Sequence, residues 1–250
     1  LANILSLSGG KDSTAMLHVC LERGIKIDAV VFFDTGWDFP QMYDHLELVE
    51  RKTGIKIEII KPKKPFDYWM FEREIIARKG PMKGLVYRVG YGWPHMFSRW
   101  CTRLKIDTLD RYSRQFDNSI QLVGFAADEM RRKEKTEKNS KIPTRFPLVE
   151  SGITESMALE ICKSQGYNWG GLYDIFDRVS CYCCPLQGKK SLRKLRLHFP
   201  NLWEKILEKD AINPKHNRGF IGYETAHDLE EKFTAEENQS LLAIGDAING

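Results

Sequence analysis

Ile4-Leu5-Ser6-Leu7-Ser8-Gly9-Gly10-Lys11-Asp12-Ser13-Thr14 decides how the rest of the chain is read. Its apolar start reads as a buried strand, its glycine pair as a turn, and the residues that follow as the opening of a helix. Two glycines let backbone N–H groups approach an anion with no Cβ in the way, while Ser8, Ser13 and Thr14 offer hydroxyl donors and Lys11 a positive charge. The stretch reads as a phosphate cradle, the alternative being a glycine turn with a capping serine. It lacks the GxxxxGK spacing of the common ATPase loop and the GxGxxG spacing of dinucleotide-binding folds.

Further along, apolar runs alternate with helical patterns. A helix from Thr14 to Arg23 ends at Gly24, a strand covers Ile27 to Phe33, a helix runs from Gln41 to Thr53, and a strand follows at Ile55 to Ile60. Repeated strand–helix–strand units predict an α/β fold with an open, mostly parallel twisted sheet flanked by helices. In such a sheet, ligands bind at the carboxyl ends of the strands. The corner Asp34-Thr35-Gly36 is placed to meet a nucleotide ribose, base or metal-bound phosphate, or else to cap the next helix. Phe66 to Arg78 is expected to form an aromatic helix and Gly80 to Arg99 a long loop near a ligand. A helix from about Ser98 to Gln115 carries Cys101 near its amino end, and Ile120 to Gly124 is a further strand. Asp128-Glu129 follows with Arg131-Arg132, a pair suited to clamping an anion. Lys133 to Lys141 reads as a solvated loop, a lid over phosphates or a nucleic-acid contact, and Thr154 as the cap of a helix from Glu155 to Gln165. Two helices, Lys189 to His198 and Asn201 to Ala211, lead to a last one that a Thr234–Glu237 capping box would open. The expected division is 1–188 for the nucleotide-binding part with its cysteines and 189–250 for a helical carboxyl-terminal extension packed on the same core.

The 250 residues are 42% hydrophobic and 29% charged, as in soluble globular proteins, and the formal net charge of +4 admits either an anionic small substrate or a polyanion. No apolar run approaches the roughly eighteen residues of a membrane span, so no membrane partner is expected and the expected location is cytoplasmic. Three of six cysteines crowd into Cys181-Tyr182-Cys183-Cys184. Near-adjacent thiols in that setting point to an iron–sulfur cluster, a structural zinc or a redox pair. Cys181-x-x-Cys184-Pro185 has ligand spacing, and Cys101 is its natural remote partner; Cys183 is a fourth ligand, a sulfur carrier or a neighbour.

Ser6-Leu7-Ser8-Gly9-Gly10-Lys11-Asp12-Ser13 resembles the PP-loop of the adenine nucleotide alpha-hydrolase-like superfamily. Asp34-Thr35-Gly36 with Phe39-Pro40 resembles the second motif of its phosphoadenosine phosphosulfate (PAPS) reductase-like group. Cys101-Thr102-Arg103-x-Lys105, Gly124, Asp128-Glu129, Arg132 and the Cys181–Cys184 pair extend the likeness over residues 3–190. The resemblance implies a site in which Ser6, Ser8, Gly9, Gly10, Asp12 and Ser13 meet phosphate beside Asp34, Thr35 and Gly36. Arg103, Lys105, Gly124, Glu129 and Arg132 complete it.

It also implies a 4Fe-4S cluster held by Cys101, Cys181 and Cys184, with Cys183 in reserve. Related reductases carry a Cys-Cys pair where this chain has Trp100-Cys101, and a later nucleophilic cysteine, whereas no cysteine follows Cys184 here. The expectation is therefore ATP-dependent sulfur transfer, with adenylation of an acceptor and release of pyrophosphate stabilised by Lys11 and Mg2+. Asp12, Arg132 and Cys183 complete the expected catalytic set. A reductase of adenylylsulfate or phosphoadenylylsulfate is the alternative, and a non-catalytic nucleotide-binding protein with a structural metal a third. Expected partners are an adenine nucleotide, tRNA or DNA as acceptor, a sulfur or electron donor protein, and a second copy in a homodimer.

Overall fold

Ala29-Val30-Val31-Phe32-Phe33 is apolar throughout and buried at every position, as a strand covered on both faces must be. It lies inside the sheet around which the first part of the chain folds. The computed structural model describes the backbone of residues 1–213 and 218–249, with side chains as far as 239. In chain order the elements are β1 (Ala2–Ser6), α1 (Lys11–Glu22), β2 (Ala29–Phe33), α2 (Pro40–Thr53), β3 (Ile57–Ile60), β4 (Glu74–Ile76), β5 (Val86–Val89), α3 (Trp100–Ser113) and β6 (Ser119–Val123). They continue with α4 (Met130–Asn139), β7 (Thr144–Arg145), α5 (Pro147–Glu150), α6 (Glu155–Ser164), α7 (Leu172–Ile175), α8 (Lys189–His198), α9 (Pro200–Ala211) and α10 (Ala226–Asn249).

Compactness divides the chain into residues 1–63 with 102–181, and residues 64–101 with 182–250. The first unit holds a five-stranded parallel sheet in the order β3-β2-β1-β6-β7. The order reverses direction at β1, so the loop after β1 lies at the topological switch point, where open α/β sheets bind ligands. Ile4, Ala29, Val31, Leu109 and Tyr112 form a core between sheet and α3, while α1 packs against α5 and α6. Local signals set the helix ends. Pro40 opens α2 and Gly54 closes it at φ +69°, and the Thr154 hydroxyl accepts from Met157 N at the start of α6.

In the second unit the expected helix over 66–78 is replaced by a π-helical turn, Tyr68–Glu72, followed by β4. The expected loop over 80–99 contains β5, which pairs antiparallel with β4 across a bulge at Ile75/Ile76. Gly90 explains the tight return. At φ +71° it sits so near the Met70 carbonyl that a Cβ would come within 2.2 Å of its oxygen. Asp210 ties the unit together, accepting from Trp93 Nε1 at 2.6 Å and from Ala226 N at 2.7 Å.

Two further expectations are corrected. Residues 133–141 are largely α4 rather than a loop or lid, because Lys and Glu are good helix formers and Lys133 pairs with Glu137 one turn on. The last helix starts at Ala226, not after Thr234. Thr225 and Asp228 exchange the capping hydrogen bonds, at 2.7 and 3.0 Å, whereas Thr234 contacts Glu230 and Arg196 inside the helix. Among the described residues no helix is long and apolar enough to cross a membrane.

Candidate functional site

β1 delivers the chain to Leu7, and the glycine turn then redirects it into α1. Gly9 takes φ +77°, a conformation a side chain would strain. Ser13 folds back into the turn: its Oγ accepts from Ser8 N at 3.0 Å, lies 3.0 Å from Ser8 Oγ, and donates to Gly10 O at 3.1 Å. The hydroxyls of Ser8 and Ser13 thus stand together at the amino end of α1, where the helix dipole favours negative charge. Gly124, just past β6, packs on this turn from the next strand; a Cβ there would meet Ser13 Cα at 2.9 Å.

A second layer of side chains grips the turn. Trp169 Nε1 donates to Gly9 O at 2.7 Å, and Lys11 N donates to the Tyr173 hydroxyl at 2.8 Å. Beneath it, Thr14 Oγ1 lies 3.0 Å from Nε2 of His45, whose ring stacks on Trp169. Burial pulls the His45 imidazole down to about 3, so it is a neutral packing and hydrogen-bonding group.

The Lys11 side chain is buried against two carboxylates, Asp12 at 3.0 Å and Glu155 at 2.7 Å. Burial pulls its ammonium down, but the hydrogen bonds to Glu155 and Asp12 prevail and leave it above its ordinary value. Burial pushes the Asp12 carboxyl up, past the opposing pull of Lys11. Asp128 Oδ1 accepts from Glu155 N at 3.1 Å, so the strand end after β6 fixes the residue that holds Lys11. Arg132 pairs with Glu129 and lies over the Phe125 ring at 4.4 Å, half exposed.

The corner after β2 is built differently. Asp34 Oδ1 accepts from Gly36 N at 2.8 Å and from Tyr43 Oη at 2.7 Å, and Lys61 lies 3.3 Å from Oδ2. Burial alone would raise this carboxyl; Tyr43, Gly36 and Lys61 together hold it below the usual carboxylate range. Thr35 Oγ1 donates to Asp38 Oδ2 at 2.6 Å and accepts from Trp37 N at 3.0 Å. Neither Asp34 nor Thr35 caps α2, whose Ncap is Phe39. Burial raises the Asp38 carboxyl past the opposing pull of the Thr35 hydrogen bond and of the Lys105 charge on α3. Arg103, also on α3, is exposed.

Cys181 reaches this second corner. Its Sγ lies 3.5 Å from Thr35 Oγ1 and 3.8 Å from Asp38 Oδ1. Cys181 closes the first unit, whereas Cys101, Cys183 and Cys184 belong to the second. Cys101, Cys181 and Cys184 are partly exposed and Cys183 is fully buried. Three thiols are a soft donor set suited to iron or zinc. Among the described residues no three His, Cys, Asp or Glu side chains form a group that could hold a metal ion.

Ser8, Gly9, Gly10, Lys11, Asp12, Ser13 and Gly124 are brought together at the first corner, with Ser6 ending the strand beneath them. Asp34, Thr35 and Gly36 form the second corner. Tyr173, Trp169, His45, Glu155, Asp38 and Tyr43 carry no motif that sequence reading isolates, although the aromatic residues flanking Gly170-Gly171 were a signal of a close approach.

Residues 2–186 match the phosphoadenosine phosphosulfate reductase domain. The chain belongs to this family. Among curated relatives, the uncharacterized protein MJ0066 of Methanocaldococcus jannaschii is 28% identical over 229 residues, 86% of this chain and 43% of that protein. A second uncharacterized protein of that organism, MJ0973, is 24% identical over 211 residues, 81% of this chain and 46% of that one. The chain thus spans less than half the length of the curated relatives it matches. Similar solved structures include phosphoadenylyl-sulfate reductase from Candida auris in a phosphate complex, with 16% identity, TM-score 0.45, and 70% of this chain and 77% of that one covered. Another is the U34-tRNA thiolase NcsA from Methanococcus maripaludis with its 4Fe-4S cluster, with 16% identity, TM-score 0.44, and 94% and 72% covered. The chain has the PAPS reductase-like fold, a mostly parallel sheet flanked by helices with further helices at the carboxyl end.

Proposed function

We propose that this PAPS reductase-like chain is an ATP-dependent sulfurtransferase that adenylates an acceptor oxygen and releases pyrophosphate. The observation that carries the reading is the position of Cys181, whose sulfur touches Thr35 and Asp38 at the strand end beside the anion cradle. A thiol and a phosphate-binding turn on one sheet edge are the two components such chemistry needs.

In this reading the acceptor oxygen attacks the α-phosphorus of ATP, the bond to the bridging oxygen breaks, and pyrophosphate leaves with the electron pair. Sulfur at the hydrosulfide level then attacks the acceptor carbon, and AMP departs with the original oxygen. No net oxidation or reduction occurs, so the donor supplies sulfide-level sulfur and no electron carrier is required. Ser6, Ser8, Gly9, Gly10 and Ser13 bind the phosphate chain. Asp12 would help hold Mg2+, which would supply charge stabilisation for the phosphates, and Lys11 exchanges a carboxylate for a phosphate oxygen to stabilise the leaving group. Asp34, Thr35 and Gly36 orient the nucleoside, while Arg103, Lys105, Gly124, Glu129 and Arg132 complete the nucleotide site. Cys101, Cys181 and Cys184, with Cys183 in reserve, would hold a 4Fe-4S cluster whose chemistry is sulfur delivery. Loss of bound iron in Cys101→Ala, Cys181→Ala and Cys184→Ala is expected; full iron in Cys101→Ala would remove that residue from the ligand set.

A nucleic-acid acceptor, tRNA or DNA, is supported by α4, where Arg131, Lys135 and Lys138 recur at helical spacing and are exposed. The basic helix α8 lends less support, since Lys189, Arg193 and Arg196 are paired with Glu224, Glu236, Glu230 and Glu237. Pyrophosphate release that depends on both tRNA and sulfide would support the reading. Nucleotide binding with no release for any acceptor would contradict it. The family match favours one second reading, reduction of phosphoadenylyl sulfate, which sulfite production with a dithiol donor protein would establish.

A further inference from the structure

Tyr173 lies far from the cradle in sequence, and no motif includes it. Its backbone route is specific. Asn168 Oδ1 accepts from Gly170 N at 3.1 Å, and Gly170 and Gly171 take φ +58° and +83°, turning the chain so that α7 begins directly afterwards. Trp169 and Tyr173 then lie edge to face with centroids 4.6 Å apart. Both reach the glycine turn, Trp169 at Gly9 O and Tyr173 at Lys11 N. Gly10 makes room for the phenol: a Cβ there would lie 3.3 Å from the Tyr173 oxygen.

The direction of the hydrogen bond matters most. Lys11 N–H is one of the unsatisfied donors at the start of α1. The Tyr173 oxygen accepts from it, and therefore still has its own proton to give. Among the described residues no protein acceptor takes that proton. Burial raises the phenol above its usual value, so it remains a donor at neutral pH. An oxygen polarised by a helix-terminal N–H is a stronger donor than an isolated phenol.

We propose that Tyr173 is a phosphate-binding residue: its hydroxyl, anchored by Lys11 N–H, donates to an oxygen of the nucleotide's phosphate chain and extends the cradle beyond the glycine turn. This rests on the nucleotide reading above and adds a ligand that the glycine-turn motif does not contain. The substrate class it recognises is a polyphosphate or a phosphate ester. The nucleoside plays no part in the contact.

Tyr173→Phe tests it, since it keeps the ring and its contact with Trp169 and removes only the oxygen. Affinities for pyrophosphate, ATP and adenosine are measured on wild type and variant by calorimetry. The expected result is a loss of roughly tenfold for pyrophosphate and for ATP, the scale of one charge-assisted hydrogen bond, with adenosine unchanged. Equal losses for all three would assign Tyr173 a structural role and overturn the proposal. A gain in pyrophosphate affinity would also overturn it, by making the phenol a competitor for Lys11 N–H. Wild-type protein that binds neither ATP nor pyrophosphate would overturn the nucleotide reading and this proposal together. Wild-type binding that Tyr173→Phe leaves intact would overturn the proposal alone. Should Tyr173→Phe fold poorly, its urea unfolding is followed with and without pyrophosphate, and the stabilisation by pyrophosphate is expected to be smaller than in wild type. Equal stabilisation of wild type and Tyr173→Phe by pyrophosphate would overturn the proposal.

Discussion

The corners after β1 and β2 lie side by side on one parallel sheet and are built from opposite materials. The first presents backbone, glycine and hydroxyl with a helix amino end behind it, and its carboxylates, Asp12 and Glu155, are covered by Lys11. The second is carboxylate: Asp34 and Asp38 line it, with Thr35 and Cys181 between them. An anion suits the first and is repelled by the second. Hydroxyl and amino donors, such as those of a ribose or a base, suit the second. In the proposed function, adjacent strand ends would divide one nucleotide between them, phosphates at β1 and nucleoside at β2.

Gly124→Ala should break the first corner most severely. The new Cβ would meet Ser13 Cα at 2.9 Å and the Asp12 carbonyl at 3.1 Å, backbone atoms that cannot turn aside. A stability loss of about 3 kcal/mol is expected in urea unfolding, with pyrophosphate binding lost in the folded fraction. Lys11→Met should come next. It removes the cation between Asp12 and Glu155, and ATP affinity is expected to fall by about two orders of magnitude while adenosine affinity holds. A matching fall for adenosine would show that the corners do not act separately.

The smallest effect is expected from Tyr43→Phe, which takes one donor from Asp34 and should cost about 1 kcal/mol. It also changes the response to acid. Asp34 is depressed in the folded state, so its stabilisation is present above the usual carboxylate range and is lost as pH falls through its folded value. Asp12 is raised, so its contribution has the opposite sign: it is present below the usual range and lost as pH rises through the folded value. Unfolding midpoints followed into acid should fall less steeply in Tyr43→Phe than in wild type, and more steeply in Asp12→Asn. Identical profiles for all three would refute this assignment of opposite signs.

Much of the first unit was legible because its signals are local. A β-branched and aromatic run gives β2, Pro40 and Gly54 bracket α2, and Thr154 caps α6. The second unit was less so. Trp69, Met70 and Phe71 have the composition of a buried helix, yet Gly90 brings its chain onto Met70 O and a hairpin replaces the helix. Charge density at 133–141 suggested solvent, and the residues are solvated, but on a helix. Within the site, the glycine turn and the Asp34 corner were readable as motifs. The groups that hold them were not: Glu155, Trp169, Tyr173 and Cys181 arrive from more than a hundred residues away, and only folding of the chain brings them to Lys11, Gly9 and Thr35.

Amide hydrogen exchange under pyrophosphate and under ATP tests the division most directly. Pyrophosphate alone should slow exchange at Ser8 to Thr14 and leave Asp34 to Asp38 unchanged, and ATP should slow both. Protection of Asp34 to Asp38 by pyrophosphate, or of neither corner by ATP, would contradict it.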